Sequence, residues 1–205
     1  IEILKDIFGF DKYLPNQEKI ILSILDNENV LTVMPTGSGK SLLYQLPALL
    51  FDGLTLVISP LISLMKDQVD ELNQLGIEAR SLNSSHSPAE NNNTINLIKN
   101  NKLKILYIAP ERLLQPETFN IFKQIKISLM AIDEAHCVSH WGHDFREEYL
   151  ELGQIKPDLN MSLNGDVNLD EIVNIQDVIL IVGQILGNYN LNDEEFNQAD
   201  TNNDN

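Results

Sequence analysis

Four short apolar runs alternate with segments whose apolar positions recur at helical spacing: "NVLTVM" ending at Met34, "LTLVIS" at 54–59, "LKILYIA" at 103–109 and "ISLMAID" at 127–133. Runs that are apolar at nearly every position predict strands buried on both faces, as in a parallel sheet with helices on either side. Between them, "SLLYQLPALLF", "ISLMKDQVDELNQLG" and the stretch around "NTINLIKN" predict the covering helices. The alternation therefore predicts an α/β fold, in which ligands gather at the carboxyl ends of the strands. Two segments rich in reactive side chains directly follow the first and the last of these runs.

After the first run comes "PTGSGKSLLYQL", in which Thr36, Gly37, Ser38, Gly39, Lys40 and Ser41 turn a predicted strand into a predicted helix. The stretch resembles a Walker A loop. There, small residues let backbone N–H groups surround phosphate oxygens, the lysine offsets phosphate charge, and the hydroxyl helps to hold Mg²⁺. Met34 stands where the strict pattern wants glycine. A glycine-rich turn without a ligand is the plainer alternative. After the last run, "LMAIDE" places Asp133 where it would hold Mg²⁺ and Glu134 where it would polarise an attacking water. An acidic helix start, favoured by the helix dipole, is the competing explanation of that pair.

The next residues, "AHCVSHWGHDFREEY", crowd His136, Cys137, His140, Trp141, His143, Phe145 and Arg146 together. His136, Cys137, His140 and His143 could be read as zinc ligands. Structural zinc sites, however, draw on two separated pairs that close a loop, and four ligands within eight residues beside a Mg²⁺ acid fit that plan poorly. A surface that stacks on bases is a second possibility, and a loop whose Trp141 and Phe145 merely fill a core is a third.

Taken together and in order, these motifs resemble RecQ-family DNA helicases over about residues 1 to 156. "FGFDKYLPNQEKII" looks like the family's adenine-recognition motif, "MPTGSGKS" like motif I, "LVISPLISLMKDQV" and "LYIAPERL" like the DNA-tracking motifs that follow, "DEAH" like motif II and "CVSHWGHDFREEY" like its aromatic-rich loop. The resemblance implies a RecA-like P-loop NTPase lobe, with ATP and Mg²⁺ as cofactors and single-stranded or junction DNA as partner. It implies that Gln17 reads the adenine edge, Phe10 stacks on the base, and Lys40, Asp133, Glu134 and His136 serve hydrolysis and its coupling. Trp141, His143, Phe145 and Arg146 would face single-stranded DNA, with Lys66 and Arg112 near it. Leu14 replaces a nucleotide-contacting arginine, His140 a glutamine and Glu147 a proline of the family pattern.

Charge changes the picture beyond Pro157. The whole chain of 205 residues carries a formal net charge of −16 and is 43% hydrophobic, ordinary for a globular protein. Residues 1–157 hold all 14 Lys and Arg against 20 Asp and Glu, a net of −6, whereas residues 158–205 hold ten Asp and Glu and no Lys or Arg, a net of −10. A net of −6 is compatible with DNA binding when the cations are clustered, because affinity follows local phosphate neutralisation. The single cysteine excludes an internal disulfide, and no apolar run reaches the roughly 18 to 20 residues that cross a bilayer.

The tail contains "GDVNLDEIVNIQDVILIVGQILG", with Asp166, Asn168, Asp170, Asn174 and Asp177 at loop positions 1, 3, 5, 9 and 12. Oxygen ligands at that spacing suit Ca²⁺. The stretch resembles a type I dockerin repeat, an EF-hand-like loop leading into one helix, here "VILIVGQILG", although Glu171 occupies the sharp-turn position usually held by glycine. A second copy starts at Asp200, Asn202 and Asp204. The resemblance implies a small α-helical appendage and a cohesin-like protein partner. The expected organisation is a helicase-type lobe over 1–157 and a dockerin-like module over 158–205, two incomplete modules joined by natural fusion, by a frame error or by design. The first part suits the cytoplasm and its nucleoid, the second the cell exterior. As a unit the chain is expected to be the ATP-binding lobe of a 3′–5′ DNA helicase of repair and recombination. These residues alone would bind ATP and Mg²⁺, hydrolyse feebly and separate no strands; the competing expectation is a calcium-dependent protein-binding module.

Overall fold

The computed structural model describes residues 2–35 and 37–135, with Glu148 and Leu152 in addition. The expectations that fall on Thr36, on the aromatic loop from His136 onward and on the calcium loop lie outside the described residues. The chain divides into two compact units, residues 1–133 and 134–205, and the fold described below is that of the first.

Its elements run α1 (Glu2–Asp6), α2 (Gln17–Leu25), α3 (Leu42–Leu50), β1 (Leu54–Ile58), α4 (Ile62–Gln74), β2 (Ala79–Leu82), α5 (Pro88–Lys99), β3 (Ile105–Ile108), α6 (Pro110–Leu113), α7 (Pro116–Phe122) and β4 (Ile127–Ile132). Four strands form one parallel sheet in the order β2-β3-β1-β4. The α/β class expected from the alternating pattern is the one observed. All five residues of β1 and all four of β3 are buried, as strands covered on both faces must be.

The layers are built around α3. Its apolar residues point in every direction, which suits a helix buried all round. Tyr44 and Ala48 join Val57, Met65, Leu72, Ile105 and Tyr107 in a core against the sheet. Leu42, Leu43 and Leu46 turn the other way and pack with Leu4 of α1 and Ile21 of α2. The helix that follows the glycine-rich loop is thereby clamped on two sides, so the loop enters a rigid element.

The register aligns the strand ends. Ile58 pairs with both Ile108 and Ile132, and Ile108 with Leu82. The ladder then continues one step: Ser59 N–H donates to Ile108 O (3.1 Å), Ala109 N–H to Leu82 O (3.3 Å) and Asp133 N–H to Ile58 O (2.9 Å). The carboxyl edge of the sheet is thus a backbone-pinned row that includes Asp133.

One expected strand is corrected. The run "NVLTVM" forms no ladder with any described strand, and Val33 is 67% exposed. The reason is a missing partner rather than missing propensity: among the described residues the sheet ends at β2 on one side and β4 on the other, and this segment pairs with neither. Conversely β2, "ARSL", was not anticipated, because its polar Arg80 and Ser81 break the apolar run; it is held by pairing with β3.

Gly53 sets the entry into β1. Its φ of +140° is a conformation that side chains avoid, and a Cβ there would stand 2.8 Å from Lys126 O and collide with Ser128 Oγ, which donates to Asp52 O (2.7 Å). Gly53→Ala is expected to cost about 1–3 kcal/mol, by the strain of that backbone region alone. Equilibrium denaturation in urea checks it, and an unchanged midpoint would contradict it.

Candidate nucleotide-binding site

The loop between Met34 and α3 needs two left-handed residues, and glycine supplies both: Gly37 has φ +78° and Gly39 φ +74°. Ser38 closes the turn on Pro35 O through its N–H (3.3 Å) and its hydroxyl (2.6 Å). The helix then starts at Ser41, with Leu42 N–H donating to Gly39 O (3.3 Å) and Leu43 N–H to Lys40 O (3.0 Å). Lys40 reaches back and its ammonium donates to Met34 O (3.1 Å), leaving the loop's cation held inside the loop. A Cβ at Gly37 would meet nothing within 4 Å, so that side of the loop is open space.

Gln17, the first residue of α2, is 2% exposed and spends its whole amide locally. Its Oε1 accepts from Leu14 N–H (2.8 Å), and its Nε2 donates to Ser38 O (3.3 Å) and Gly39 O (3.1 Å). The approach is close enough that a Cβ on Gly39 would lie 2.6 Å from that nitrogen. Leu14, which stands in place of an arginine, lies beside it: its Cδ1 would be 3.7 Å from the same Cβ. Phe10 is 53% exposed and is placed as a free aromatic surface next to α1.

Asp133 arrives from the other side, pinned at the end of β4, and α3 packs against both β4 and β1. Its carboxylate acts on two tyrosines that the motif reading missed. Burial first, then the neighbouring Tyr107 and Asp133, push the Tyr44 hydroxyl far above its ordinary range. The Tyr107 hydroxyl is likewise raised, chiefly by burial, while a hydrogen bond from Gln45 Nε2 (3.2 Å) opposes the rise. The rings meet edge to face, 6.4 Å apart, and Gln45 Nε2 also donates to Gln68 Oε1 (2.8 Å). Both phenols therefore stay neutral donors at any working pH. The Tyr44 hydroxyl is buried beside Tyr107, Ser41 and Asp133. Tyr44 follows Ser41 by three positions on α3, the same face of a helix, and that spacing is the signal that could have found it.

Glu134 follows Asp133 with φ +50°, a left-handed backbone that costs a non-glycine residue about 1–2 kcal/mol. Strain of this kind concentrates at functional positions. Among the described residues no group of three or more His, Cys, Asp or Glu side chains gathers as a metal cluster. Lys66 is exposed on α4, whereas Arg112 is half-buried and bonds to Gln115 Oε1. No described helix is long and apolar enough to cross a membrane.

A glycine-rich loop at a helix start and an acid pinned at the carboxyl end of a strand in a parallel sheet are the arrangement of an α/β domain of the P-loop type. The DEAD/DEAH box helicase family model matches residues 14–165, and the chain belongs to that family. It is 51% identical over 156 residues to the ATP-dependent DNA helicase RecQ of Haemophilus influenzae, covering 76% of this chain and 25% of that protein. It is 49% identical over 148 residues to the protein of that name from Bacillus subtilis (72% and 25%), and 44% identical over 171 residues to the ATP-dependent DNA helicase Q1 of Rattus norvegicus (80% and 28%). The chain spans about a quarter of the length of these curated relatives. Among solved structures, a hypothetical ATP-dependent RNA helicase from Sulfolobus tokodaii shares the fold, with TM-score 0.54 and 23% identity over 76% of this chain and 44% of that one.

Proposed function

We propose that these residues are the ATP-binding lobe of a RecQ-type 3′–5′ DNA helicase. The observation that carries it is the glycine loop that leads into α3 and is held to α2 by Gln17, with Asp133 pinned at the end of β4, in a chain half identical to a RecQ helicase over 156 residues. The residues present fit a nucleotide: Gly37 opens on free space, and the buried Tyr44 hydroxyl lies beside the two side chains, Ser41 and Asp133, that suit a hard cation. When bound, Mg²⁺ would offset charge on the phosphates, and Ser41 and Asp133 would hold it.

The chain's own residues do the rest. Backbone N–H groups of the loop other than that of Ser38, which closes the turn on Pro35 O, bind phosphate oxygens, and Lys40 exchanges the Met34 carbonyl for a phosphate oxygen, a stronger charge-assisted partner. Phe10 offers a stacking face to the base, and Glu134 accepts a proton from the water that attacks. His136 links that event to Trp141, His143, Phe145 and Arg146, on which unpaired bases stack. The test is a titration of fluorescent ATP analogue with Mg²⁺, with and without single-stranded DNA. Saturable binding supports the lobe, and no binding in either arm overturns it.

A second reading rests on the oxygen spacing of Asp166, Asn168, Asp170, Asn174 and Asp177, a dockerin-like Ca²⁺ loop that would dock a cohesin-like protein. Calorimetry is expected to register Ca²⁺ binding to the whole chain and its loss in Asp166→Ala; no heat in the unaltered chain removes this reading.

A further inference from the structure

We infer that Ser59, at the carboxyl end of β1, is a positioning residue for Asp133: its hydroxyl donates to that carboxylate and so sets which oxygen is left for a divalent cation. The inference rests on the nucleotide-site reading above and deepens it on the cation side.

The placement follows from the register. Val57 of β1 pairs with Tyr107 of β3 and Ala131 of β4, and all three pack in the core that α3 and α4 cover. Side chains two residues apart on a strand share a face. The ladder runs on past Ile58, through Ser59 N–H to Ile108 O and Asp133 N–H to Ile58 O, so the next rung on that face is Ala109, Ser59 and Asp133. Ala109 belongs to the same core, and the Asp133 charge acts on both Tyr44 and Tyr107 within it. Ser59 and Asp133 are therefore lateral neighbours on adjacent strands, whose backbones stand about 4.8 Å apart.

Ser59 is 1% exposed, and its Oγ has no hydrogen-bond partner among the described residues. A buried hydroxyl left unpaired costs stability, so it is kept only where it serves something else. The charged acceptor on its own rung is Asp133. A carboxylate that gives one oxygen to a cation keeps the other for a donor, and donors of this kind orient metal-binding carboxylates. Thr55 supplies the contrast. It lies on the same strand face, is fully buried, and its Oγ1 also has no partner among the described residues, but its cross-strand neighbours are Ile105 and Leu129, which offer no acceptor.

The test measures ATP binding to the full chain with Mg²⁺ and, separately, in EDTA. Ser59→Ala is expected to bind Mg·ATP about tenfold more weakly, as the loss of one hydrogen bond to a charged group implies, and to bind metal-free ATP as the parent does. The Mg²⁺ concentration for half-maximal binding at fixed ATP should rise in step. The thermal unfolding midpoint of Ser59→Ala should equal or exceed the parent's, because the variant removes an unpaired buried hydroxyl. Thr55→Val, which removes the other one roughly 13 Å back along the strand, should leave both affinities alone. Parental Mg·ATP affinity in Ser59→Ala overturns the inference, as does an equal loss with and without Mg²⁺ or an equal loss in Thr55→Val. Weaker binding that comes with a lowered unfolding midpoint assigns Ser59 a structural role and overturns it too. Should the unaltered chain bind ATP in neither condition, the nucleotide-site reading itself fails, a result distinct from these.

Discussion

Lys40→Ala will weaken Mg·ATP binding by about 2 to 5 kcal/mol, roughly 30-fold to several thousand-fold, the range seen when one partner of a hydrogen-bonded charge pair is truncated. Lys40 is the only cation in the loop, and its ammonium already sits 3.1 Å from Met34 O, inside the turn the phosphates would enter. The change should fall on affinity alone, because α3 is anchored by Leu42, Leu43 and Leu46 against α1 and α2 and does not depend on the lysine. Equilibrium titration with a fluorescent ATP analogue checks it, with circular dichroism as the control for folding. Retention of parental affinity would remove phosphate from this loop.

Hydrolysis carries the other large effect. The resemblance to RecQ-type helicases implies that a second lobe completes the site with an arginine, a contribution of about 10³ to 10⁵ in rate. These 205 residues, whose match covers a quarter of the relative's length, should release phosphate slower than a two-lobe relative by a factor of that order, with or without single-stranded DNA. Phosphate-release assays on both proteins under the same conditions decide it. Robust DNA-stimulated turnover that disappears in Lys40→Ala would show that the first lobe suffices.

Much of the lobe was legible in sequence, for reasons that can be located. β1, β3 and β4 were read from unbroken apolar runs, α3 and α4 from their periodicity. Lys40, Ser41 and Asp133 were read because their chemistry depends on order along the chain, a loop before a helix and an acid after a strand. Gln17 was singled out but its contacts were not, since a buried amide's partners, Leu14 N–H and the carbonyls of Ser38 and Gly39, are backbone atoms that carry no residue identity. Tyr44, Tyr107, Gln45 and Gln68 escaped because their layer is assembled across β3, α3 and α4. The start of α5 was placed too late, although Ser87 and Glu90 form a reciprocal cap there, with Glu90 N–H donating to Ser87 Oγ (3.3 Å) and Ser87 N–H to Glu90 Oε2 (2.8 Å). "NVLTVM" shows the reverse error: composition favours a strand, but only a neighbour makes one.

The outer side of β4 has a practical corollary for anyone handling this protein. Its six residues, Ile127 to Ile132, contain no charge and no proline, and among the described residues β1 is their sole ladder partner. Sheets usually guard such a margin with lysines or kinks, because bare amides and carbonyls recruit further chains. Self-association of concentrated stocks, read by light scattering, is the expected consequence, and a preparation that stays monodisperse on concentration would contradict it.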